Sequence, residues 1–382
     1  MSTTRGSRPL PPNTLLTAVP GLIGFLPERS LIFLAFGRRP DVLRATMRHD
    51  LVLDEDGALV AGLVDVMAGL GEICERNDVE SVVAVIADDR YPAHDPRYHD
   101  VCAVADQEFA AVGGIGAGFV VPEFRAGARW RTIWHTGRGT ARPRSMSDPL
   151  ARPLPVSGIL ADPQSSPTAL EAAMSTGRQI LPNRAAIETL LSPLHHCVGP
   201  HRDRASSRLP GETHDRTGEE LIELIGGNEV GDGALLRFIV RWVIAGPGVG
   251  QLDCATVTLM GIGLTRLRVR DAALALAATD FRHEAEVLWR ELARRLRGSE
   301  AASAATMLAH LYYFGGEGAY AGVALDHALA ADPDWALAGL LDKALRGGIP
   351  PHMLRGMIDD CWSAAAELGV ALPPSTDQRR AG

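Results

Sequence analysis

Lysine is almost absent from this chain of 382 residues. Lys343 is the single lysine among 38 basic residues. Such exclusive use of arginine, together with abundant alanine, glycine and proline, is typical of a GC-rich genome and does not by itself indicate a chemical requirement. Arginine clusters therefore give weak support for a binding site. The formal net charge of −8 also disfavours a protein that coats nucleic acid by electrostatic attraction alone.

Cysteine and long apolar runs are scarce as well. The five cysteines lie far apart, without the paired spacing typical of zinc or redox sites: Cys74, Cys102, Cys197, Cys254 and Cys361. No apolar run is long enough to cross a membrane, and the first residues lack the pattern of a secretory signal. No GxSxG, HExxH or phosphate-loop motif occurs. We expect a globular cytoplasmic protein with no membrane partner, long enough for about two domains.

The most specific pattern that is present covers residues 302–335, which resemble a tetratricopeptide-type helix pair. The positions typical of this repeat hold Leu308, Ala309, Tyr312, Ala321, Leu325, Ala328 and the closing Pro333. Residues 268–297 form a poorer pair of the same kind. Because one pair cannot bury its own apolar face, such arrays usually present a binding surface. With only one good pair, a compact cap fits the pattern equally well.

The first half of the chain alternates strand and helix patterns. Apolar runs predict buried strands at 31–36 and 81–87, with a weaker strand at 44–53. Helical spacing of apolar residues covers 59–74 and about 96–112. Segments 119–124 and 128–134 flank Arg125, Ala126 and Gly127 as a hairpin would. This order predicts an α/β sandwich with a mixed sheet.

Beyond residue 217 every pattern is helical. A capping box at Thr217 and Glu220 and the caps Asp232, Asp253 and Asp332 mark helix starts, and Pro351 opens a last amphipathic helix. The fold class predicted is thus α/β followed by an all-helical, repeat-like domain. The expected boundaries are an α/β domain at 1–194, a linker at 195–216, a helical domain at 217–372 and a disordered tail at 373–382.

Four segments resemble one known family, in the same order along the chain. They are LLTAVPGLIGFLPERSLIFLAF at 15–36, GRQILPNRAAIETLLSP at 177–193, VRDAAL at 269–274 and GGEGAYAGVALDHALAADPDWALAGLLDKALRGGIPP at 315–351. The family is the actinobacterial domain of unknown function 4192. The resemblance implies an α/β N-terminal part, a helical C-terminal part and an actinobacterial cytoplasm, but no activity. Members often carry a cysteine cluster in the region of Trp130, and this chain lacks it, which disfavours a metal or redox site there.

Six polar residues follow the predicted strand at 81–87: Asp88, Asp89, His94, Asp95, His99 and Asp100. In α/β sheets ligands tend to bind beyond the carboxyl ends of strands. Carboxylates and imidazoles can hold a divalent metal or act as general acids and bases. The segment is therefore a candidate enzyme site with a divalent metal, and no other cofactor is predicted. The alternative is that Asp95 caps the helix starting at Pro96 and the remaining side chains are solvated.

Two further clusters are weaker candidates. The first, in the predicted linker, contains metal-capable side chains without the spacing of a preformed zinc site: His195, His196, Cys197, His201, His214 and Asp215. The second interleaves arginines with two tryptophans, as a single-stranded nucleic acid site would: Arg125, Arg129, Arg131, Arg138, Arg142 and Arg144 with Trp130 and Trp134. Strand alternation instead predicts both tryptophans on one buried face and Arg129 and Arg131 on the other.

Two glycine- and proline-containing segments are predicted to shape turns. Gly113, Gly114, Gly116 and Gly118 lie between a helix and a strand, which is the reverse of a dinucleotide fingerprint and favours a helix terminator. Around the first strand, Pro20, Gly24 and Pro27 favour a turn. The functional alternative is that Glu28 and Ser30 lie at the rim of a ligand-binding cleft.

These patterns support three functional hypotheses. The first is a non-enzymatic interaction protein whose helical domain binds an unidentified protein or peptide, with anchors among Tyr312, Tyr313, Phe314, Tyr320 and Trp335. Several of these aromatics, Tyr312 above all, must also pack the repeat itself. The second hypothesis is a metal-dependent enzyme at residues 88–100. The third is a nucleic-acid-binding protein that uses residues 125–144.

Overall fold

The structure, a computed structural model, describes residues 11–37, 43–135, 154–194, 230–246 and 252–376. The chain forms two compact units that divide between Arg184 and Ala185. Arg294 Nε donates to Ser192 O, and Leu194 N donates to Arg294 O, so these residues, at the end of the predicted α/β domain, pack with the second unit. The predicted linker at 195–216, with its His and Cys cluster, and the predicted cap at Thr217 and Glu220 lie outside the described residues.

The first unit is built on a mixed six-stranded sheet. Its strands are β1 (Ser30–Phe36), β2 (Leu43–Asp50), β3 (Ser81–Ala87), β4 (Ile115–Val120), β5 (Arg129–His135) and β6 (Ser157–Ile159). They lie in the order β2-β1-β3-β4-β5-β6, with β3 and β4 parallel and the other neighbours antiparallel. The predicted α/β fold with a mixed sheet is confirmed.

Helices cover both faces of this sheet. They are α1 (Pro12–Ile23), α2 (Ala61–Arg76), α3 (Pro96–Glu108) and α4 (Pro167–Thr176). Helix α5 (Arg184–Thr189) begins at the last residue of the unit. On one face, Met67 of α2 and Tyr98 of α3 pack against Phe33. On the other, Leu16 and Val19 of α1 pack against the sheet. Since both faces are covered, every residue of β1 is buried, which explains its uninterrupted apolar sequence.

The glycine cluster before β4 has the structural role predicted for it. Gly113 and Gly114 have φ values of 88° and 74° and end the helical segment that follows α3. Residues other than glycine adopt this conformation at a cost. Within β4, a Cβ on Gly118 would lie 2.6 Å from Cys102 Sγ, so glycine is what allows α3 to approach the sheet.

A β-bulge overturns the predicted faces of the two tryptophans. Gly118 pairs with Trp134 and Phe119 pairs with Thr132, so Ile133 is an extra residue in β5. One extra residue reverses the alternation of side chains beyond it. Trp130 therefore packs on the α1 face and Trp134 on the α2 and α3 face. The expectation that both share one face is wrong.

The regular elements among the described residues of the second unit are helices, as predicted. Its helices are α6 (Asp232–Ala245), α7 (Cys254–Thr265), α8 (Leu267–Ala273), α9 (Arg282–Arg295), α10 (Gly298–Phe314), α11 (Gly318–Ala331), α12 (Ala336–Arg346), α13 (Pro351–Arg355) and α14 (Ile358–Glu367). The best predicted helix pair corresponds to α10 and α11.

Helix α10 lies at the centre of the second unit. All residues from Ala301 to Tyr313 are buried, because α10 packs against α7, α9, α11 and α12 together. Its many alanines allow these neighbours to approach closely. In tetratricopeptide arrays the first helix of each pair can line a groove, but here that helix is covered on all sides. No open groove therefore runs along α10.

Three boundaries in this unit can be compared with the sequence. Asp253 caps α7 as predicted, since its carboxylate accepts a hydrogen bond from Thr256 N at 2.6 Å. Asp332 does not cap a helix: it accepts from Asp334 N and from Ser299 Oγ, and α12 begins only at Ala336. The last predicted helix is divided at Gly356 into α13 and α14.

Part of the predicted disordered tail, residues 373–376, belongs to the described structure and is held in place by the body of the unit. Ser375 forms a β-bridge with Thr279, and Thr376 Oγ1 donates to Ala278 O at 2.8 Å. Residues 377–382 lie outside the described part of the chain. Among the described residues, no helix is both long and apolar enough to span a bilayer.

Candidate functional site

One end of the sheet gathers several of the predicted site residues. At this end β1 begins and β2, β3 and β4 finish, with Ser30 paired to both Asp50 and Ala87. Glu28 and Ser30 therefore lie beside the loop that follows Ala87, although the sequence suggested them as separate candidates. The carboxyl end of parallel strands is where α/β sheets usually bind ligands.

Asp88 is a buried carboxylate with its oxygens already engaged. Its side chain is fully shielded, and Oδ1 accepts from Arg90 Nε at 2.8 Å. Oδ2 accepts from Tyr98 Oη at 3.1 Å, and Arg90 also donates to Leu51 O at 3.0 Å. The hydrogen bond to Asp88 raises the pKa of Arg90, and burial raises the pKa of Tyr98. Asp88 thus joins β3, α3 and the strand end of β2.

The other candidates of this loop diverge from Asp88. Asp95 caps α3, as its alternative interpretation predicted, by accepting from Arg97 N at 3.0 Å. His99 places its ring 5.0 Å from that of Trp134. Asp89, His94 and Asp100 are exposed. Nowhere among the described residues do three His, Cys, Asp or Glu side chains converge in a way that could hold a metal ion.

On the opposite face of the same sheet end, Ser30 holds an arginine that sequence reasoning missed. Ser30 is buried; its Oγ donates to Glu28 O at 2.7 Å and accepts from Arg48 Nε at 2.9 Å. Glu28 itself is exposed. Arg48 Nη2 lies 2.5 Å from Asp50 Oδ1, and its guanidinium lies 5.7 Å from the centre of the Phe25 ring. Ser30 is therefore a positioning group for Arg48, not an exposed rim.

The segment around Leu181 is hydrogen-bonded to the residues just before β1. Leu26 N donates to Leu181 O and Leu181 N donates to Gly24 O, both at 2.9 Å. Arg184 follows three residues after Leu181 in the chain. Burial and, more weakly, the charge of Arg184 lower the pKa of Arg48, against the opposing effect of Asp50.

The basic strip lacks the stacking surface that nucleic-acid binding was predicted to use. Arg125, Arg129 and Arg131 are exposed, but Trp130 is only 3% exposed and packs against Phe119 and Gly158. Trp134 is half-buried against His99. Arg138, Arg142 and Arg144 lie outside the described residues. Within the described strip, no exposed aromatic ring stands between the arginines.

In the second unit, packing uses most of the aromatic residues suggested as anchors. Tyr312, Tyr313 and Tyr320 are buried, and Tyr313 Oη donates to Ile349 O at 2.6 Å. Phe314 and Trp335 are half-buried, each with an arginine over its ring, Arg355 and Arg270 respectively.

Exposed apolar side chains of this unit lie instead in its last helices. The large ones at the C-terminal end are Leu340, Ile349, Met353 and Met357, which are between 43% and 64% exposed. Sequence reasoning assigned Met353 and Met357 to an amphipathic helix and did not distinguish exposed from buried members. The sequence analysis did not select Arg48 or Arg184, because arginine is so common in this chain that an arginine alone does not indicate a site.

Comparison with known proteins identifies a family. A family model described as "Domain of unknown function (DUF4192)" matches residues 12–352, which is most of the chain. No curated protein and no solved structure matches significantly.

Proposed function

Since the chain belongs to the DUF4192 family, whose description states no activity, we propose a function from the structure: the second unit binds a protein or peptide partner in the cytoplasm. The observation that carries the proposal is the exposed apolar surface at the end of this unit. We call Leu340, Ile349, Met353 and Met357 the C-terminal apolar surface.

Two side chains of this surface have the spacing that a helix-binding surface requires. Met353 and Met357 are four residues apart, and the backbone at Gly356 and Met357 remains in the right-handed helical region between α13 and α14. Ile349 precedes the first helical residue, Pro351, so this spacing does not apply to it. Residues four apart on helical backbone lie on the same side. Methionine is unbranched and adapts to irregular partner surfaces, which suits recognition of an apolar helix or extended peptide.

The other candidate binding residues of this unit are buried, which favours the C-terminal apolar surface as the binding site. Helix α10 has no free face, and Tyr313 and Tyr320 are enclosed by their neighbours. Phe314, half-buried beneath Arg355, can extend the apolar surface from the side. The partner is therefore expected to contact α12, α13 and α14 rather than the predicted repeat itself.

Replacement of Met353 and Met357 by aspartate is expected to abolish partner capture. Each substitution places a charge where an apolar contact is buried on binding, and central interface residues typically contribute about 2 kcal/mol or more each, which is over tenfold in affinity. The measurement compares proteins recovered from native lysate by wild-type chain and by the double variant, with quantitative mass spectrometry.

The matched control is Met174→Asp. Met174 is a methionine of the first unit, 88% exposed on α4, so this change adds the same charge at a different surface. It should leave capture unchanged. A partner recovered equally well by the Met353→Asp/Met357→Asp variant, or lost equally with Met174→Asp, would show that the C-terminal apolar surface is not the binding site.

Two other functions have weaker support. A metal-dependent enzyme at residues 88–100 would use side chains that point to different places, with Asp88 and Asp95 occupied by Arg90 and Arg97. Nucleic-acid binding would rely on arginines alone, since Trp130 is buried. Partner binding by the second unit is supported by exposed apolar side chains of the kind that this function uses.

A further inference from the structure

The strand β6 forms one edge of the sheet, and its outer side pairs with no strand in the part of the chain that the structure describes. On its inner side, Val156 O, just before β6, accepts a hydrogen bond from Thr132 N of β5 at 2.9 Å. Backbone groups alternate in direction along an antiparallel pair. The N–H and C=O groups of Ser157 and Ile159 therefore point away from β5, and both residues are exposed. An edge of this kind is a template for another strand.

The same edge carries two exposed arginines. In the register of β5 and β6, Arg129 lies opposite Ile159 and Arg131 lies opposite Ser157. Alternate residues of a strand lie on one face, about 7 Å apart, so both arginines lie on the face opposite Trp130. Neither arginine forms a hydrogen bond or an ion pair with a described residue. This face beside β6 therefore carries two positive charges without a counter-charge from the described chain.

The two carboxylates closest in sequence to β5 and β6 are engaged elsewhere. Glu123, in the loop between β4 and β5, forms an ion pair with Arg125. Asp162, which follows β6, accepts a hydrogen bond from Gln164 N at 3.0 Å. The arginines of β5 are therefore available to an acidic group from outside the chain.

Apolar side chains flank the free edge on both faces of the sheet. Val156 is 63% exposed and Ile159 is 59% exposed. The two are three positions apart, so Ile159 lies on the face of the arginines and Val156 on the other face. A strand added at this edge would cover apolar surface on both faces while its backbone pairs with β6.

We propose that the edge of β6 binds an extended acidic segment of a partner protein, which joins the sheet as a seventh, antiparallel strand. The backbone of Ser157 and Ile159 pairs with this segment, and its acidic side chains contact Arg129 and Arg131. In this mode of recognition, main-chain hydrogen bonds give affinity and alternate side chains give specificity. The site lies in the first unit and does not depend on partner binding by the second.

Two other occupants suit this edge less well. Antiparallel pairing of two β6 edges from two copies of the chain would bring four arginines onto one face of the joined sheet, where like charges repel. Single-stranded nucleic acid would stack its bases on aromatic rings, and Trp130 is buried on the other face. Nucleic acid also lacks the alternating N–H and C=O groups that pair with a strand.

The test is fluorescence anisotropy of a labelled peptide titrated with the full chain. The peptide has about eight residues that alternate glutamate with valine, so the extended form places every glutamate on one face. Residues opposite each other in an antiparallel pair share a face, so the glutamates also direct their N–H groups toward β6. N-methylation of the glutamates should weaken binding about tenfold or more, because hydrogen bonds to β6 are lost. N-methylation of the valines is the matched control and should leave binding unchanged.

Variants of the chain test the same site from the other side. Arg129→Gln/Arg131→Gln should weaken binding about tenfold, since each exposed ion pair contributes about threefold. Ile159→Pro removes an outward N–H at an edge, where proline is tolerated, and should weaken binding several-fold more than Ile159→Thr, which keeps the N–H. Arg76→Gln, exposed in the last turn of α2, should bind the peptide like the wild type.

Contrary results overturn the proposal. If the wild-type chain does not bind the peptide, or binds it as tightly when lysine replaces glutamate, the assigned partner is wrong. Equal effects of Arg76→Gln and the double arginine variant would indicate general electrostatic attraction. If methylated glutamates do not weaken binding, or if an oligothymidylate binds the arginines more tightly than the peptide does, β6 is not a site for strand addition. Should Ile159→Pro fail to fold, the two methylated peptides decide with the wild-type chain alone.

Discussion

Replacing Arg90 with methionine is expected to destabilise the first unit by about 3 kcal/mol, since it leaves a buried carboxylate without its counter-charge. Asp88 is fully shielded and pairs with Arg90 at 2.8 Å. Methionine keeps most of the apolar stem of arginine but none of its donors. The same change also removes the hydrogen bond from Arg90 to Leu51 O, which ties the loop after β3 to the end of β2. Urea unfolding followed by circular dichroism measures the loss.

A double-mutant cycle separates the buried charge from other effects of the substitution. In Asp88→Asn/Arg90→Met the charge is absent, and Asn still offers Tyr98 Oη an acceptor. We expect this double variant to recover part of the lost stability, with a coupling of about 2 kcal/mol, within the range found for contacting residues. An Arg90→Met variant as stable as wild type, or a cycle with no coupling, would mean that the ion pair is not structural and would reopen the loop as a functional site.

Lowering the pH from 7 to 4 is expected to cost the second unit about 3 kcal/mol through His310 alone. His310 lies in the enclosed helix α10, and burial lowers its pKa from 6.5 to about 4. At pH 7 the imidazole is neutral in both the folded and the unfolded chain. Between pH 6.5 and 4 the unfolded chain takes up a proton that the folded chain does not, so stability falls with pH over this window.

The variant His310→Leu tests this contribution. Its unfolding free energy should fall by about 3 kcal/mol less than that of wild type between pH 7 and pH 4, since leucine does not titrate. His283, exposed on α9, provides the control: His283→Gln should keep the pH dependence of wild type. Parallel pH profiles for wild type and His310→Leu would contradict the burial of this imidazole and, with it, the enclosed position of α10.

The sequence predicted the local elements of both units well. Apolar runs at β1 and β3 are uninterrupted, and β3 is rich in valine, so their burial on two faces could be inferred. Asp95 and Asp253 cap their helices because capping depends on residues within one turn. The helix at 332 and the break at Gly356 were predicted less well. Asp332 is engaged by Ser299 of α10, 33 positions away, and a single glycine inside a helical pattern is often tolerated without a break.

The candidate sites were less predictable. The loop at 88–100 was correctly placed at the end of β3, but only the structure shows that Arg90 and Tyr98 occupy Asp88. Exposure of Met353 and Met357 could not be read from helical spacing, because an amphipathic pattern does not tell which apolar residues find a neighbour. One extra residue in β5 decided the faces of Trp130 and Trp134.

The sequence by itself determined the kind of protein: an α/β part, then a helical part, with composition and periodicity sufficient for each because both signals are local. Tertiary structure decided which surfaces remain exposed to solvent. It enclosed α10 among its neighbouring helices, left the C-terminal apolar surface exposed, and joined Leu181 to the segment before β1 through the bridge between Phe25 and Leu181. These outcomes depend on contacts between residues that are tens of positions apart or, for the bridge between Phe25 and Leu181, more than a hundred, which no short window of sequence contains.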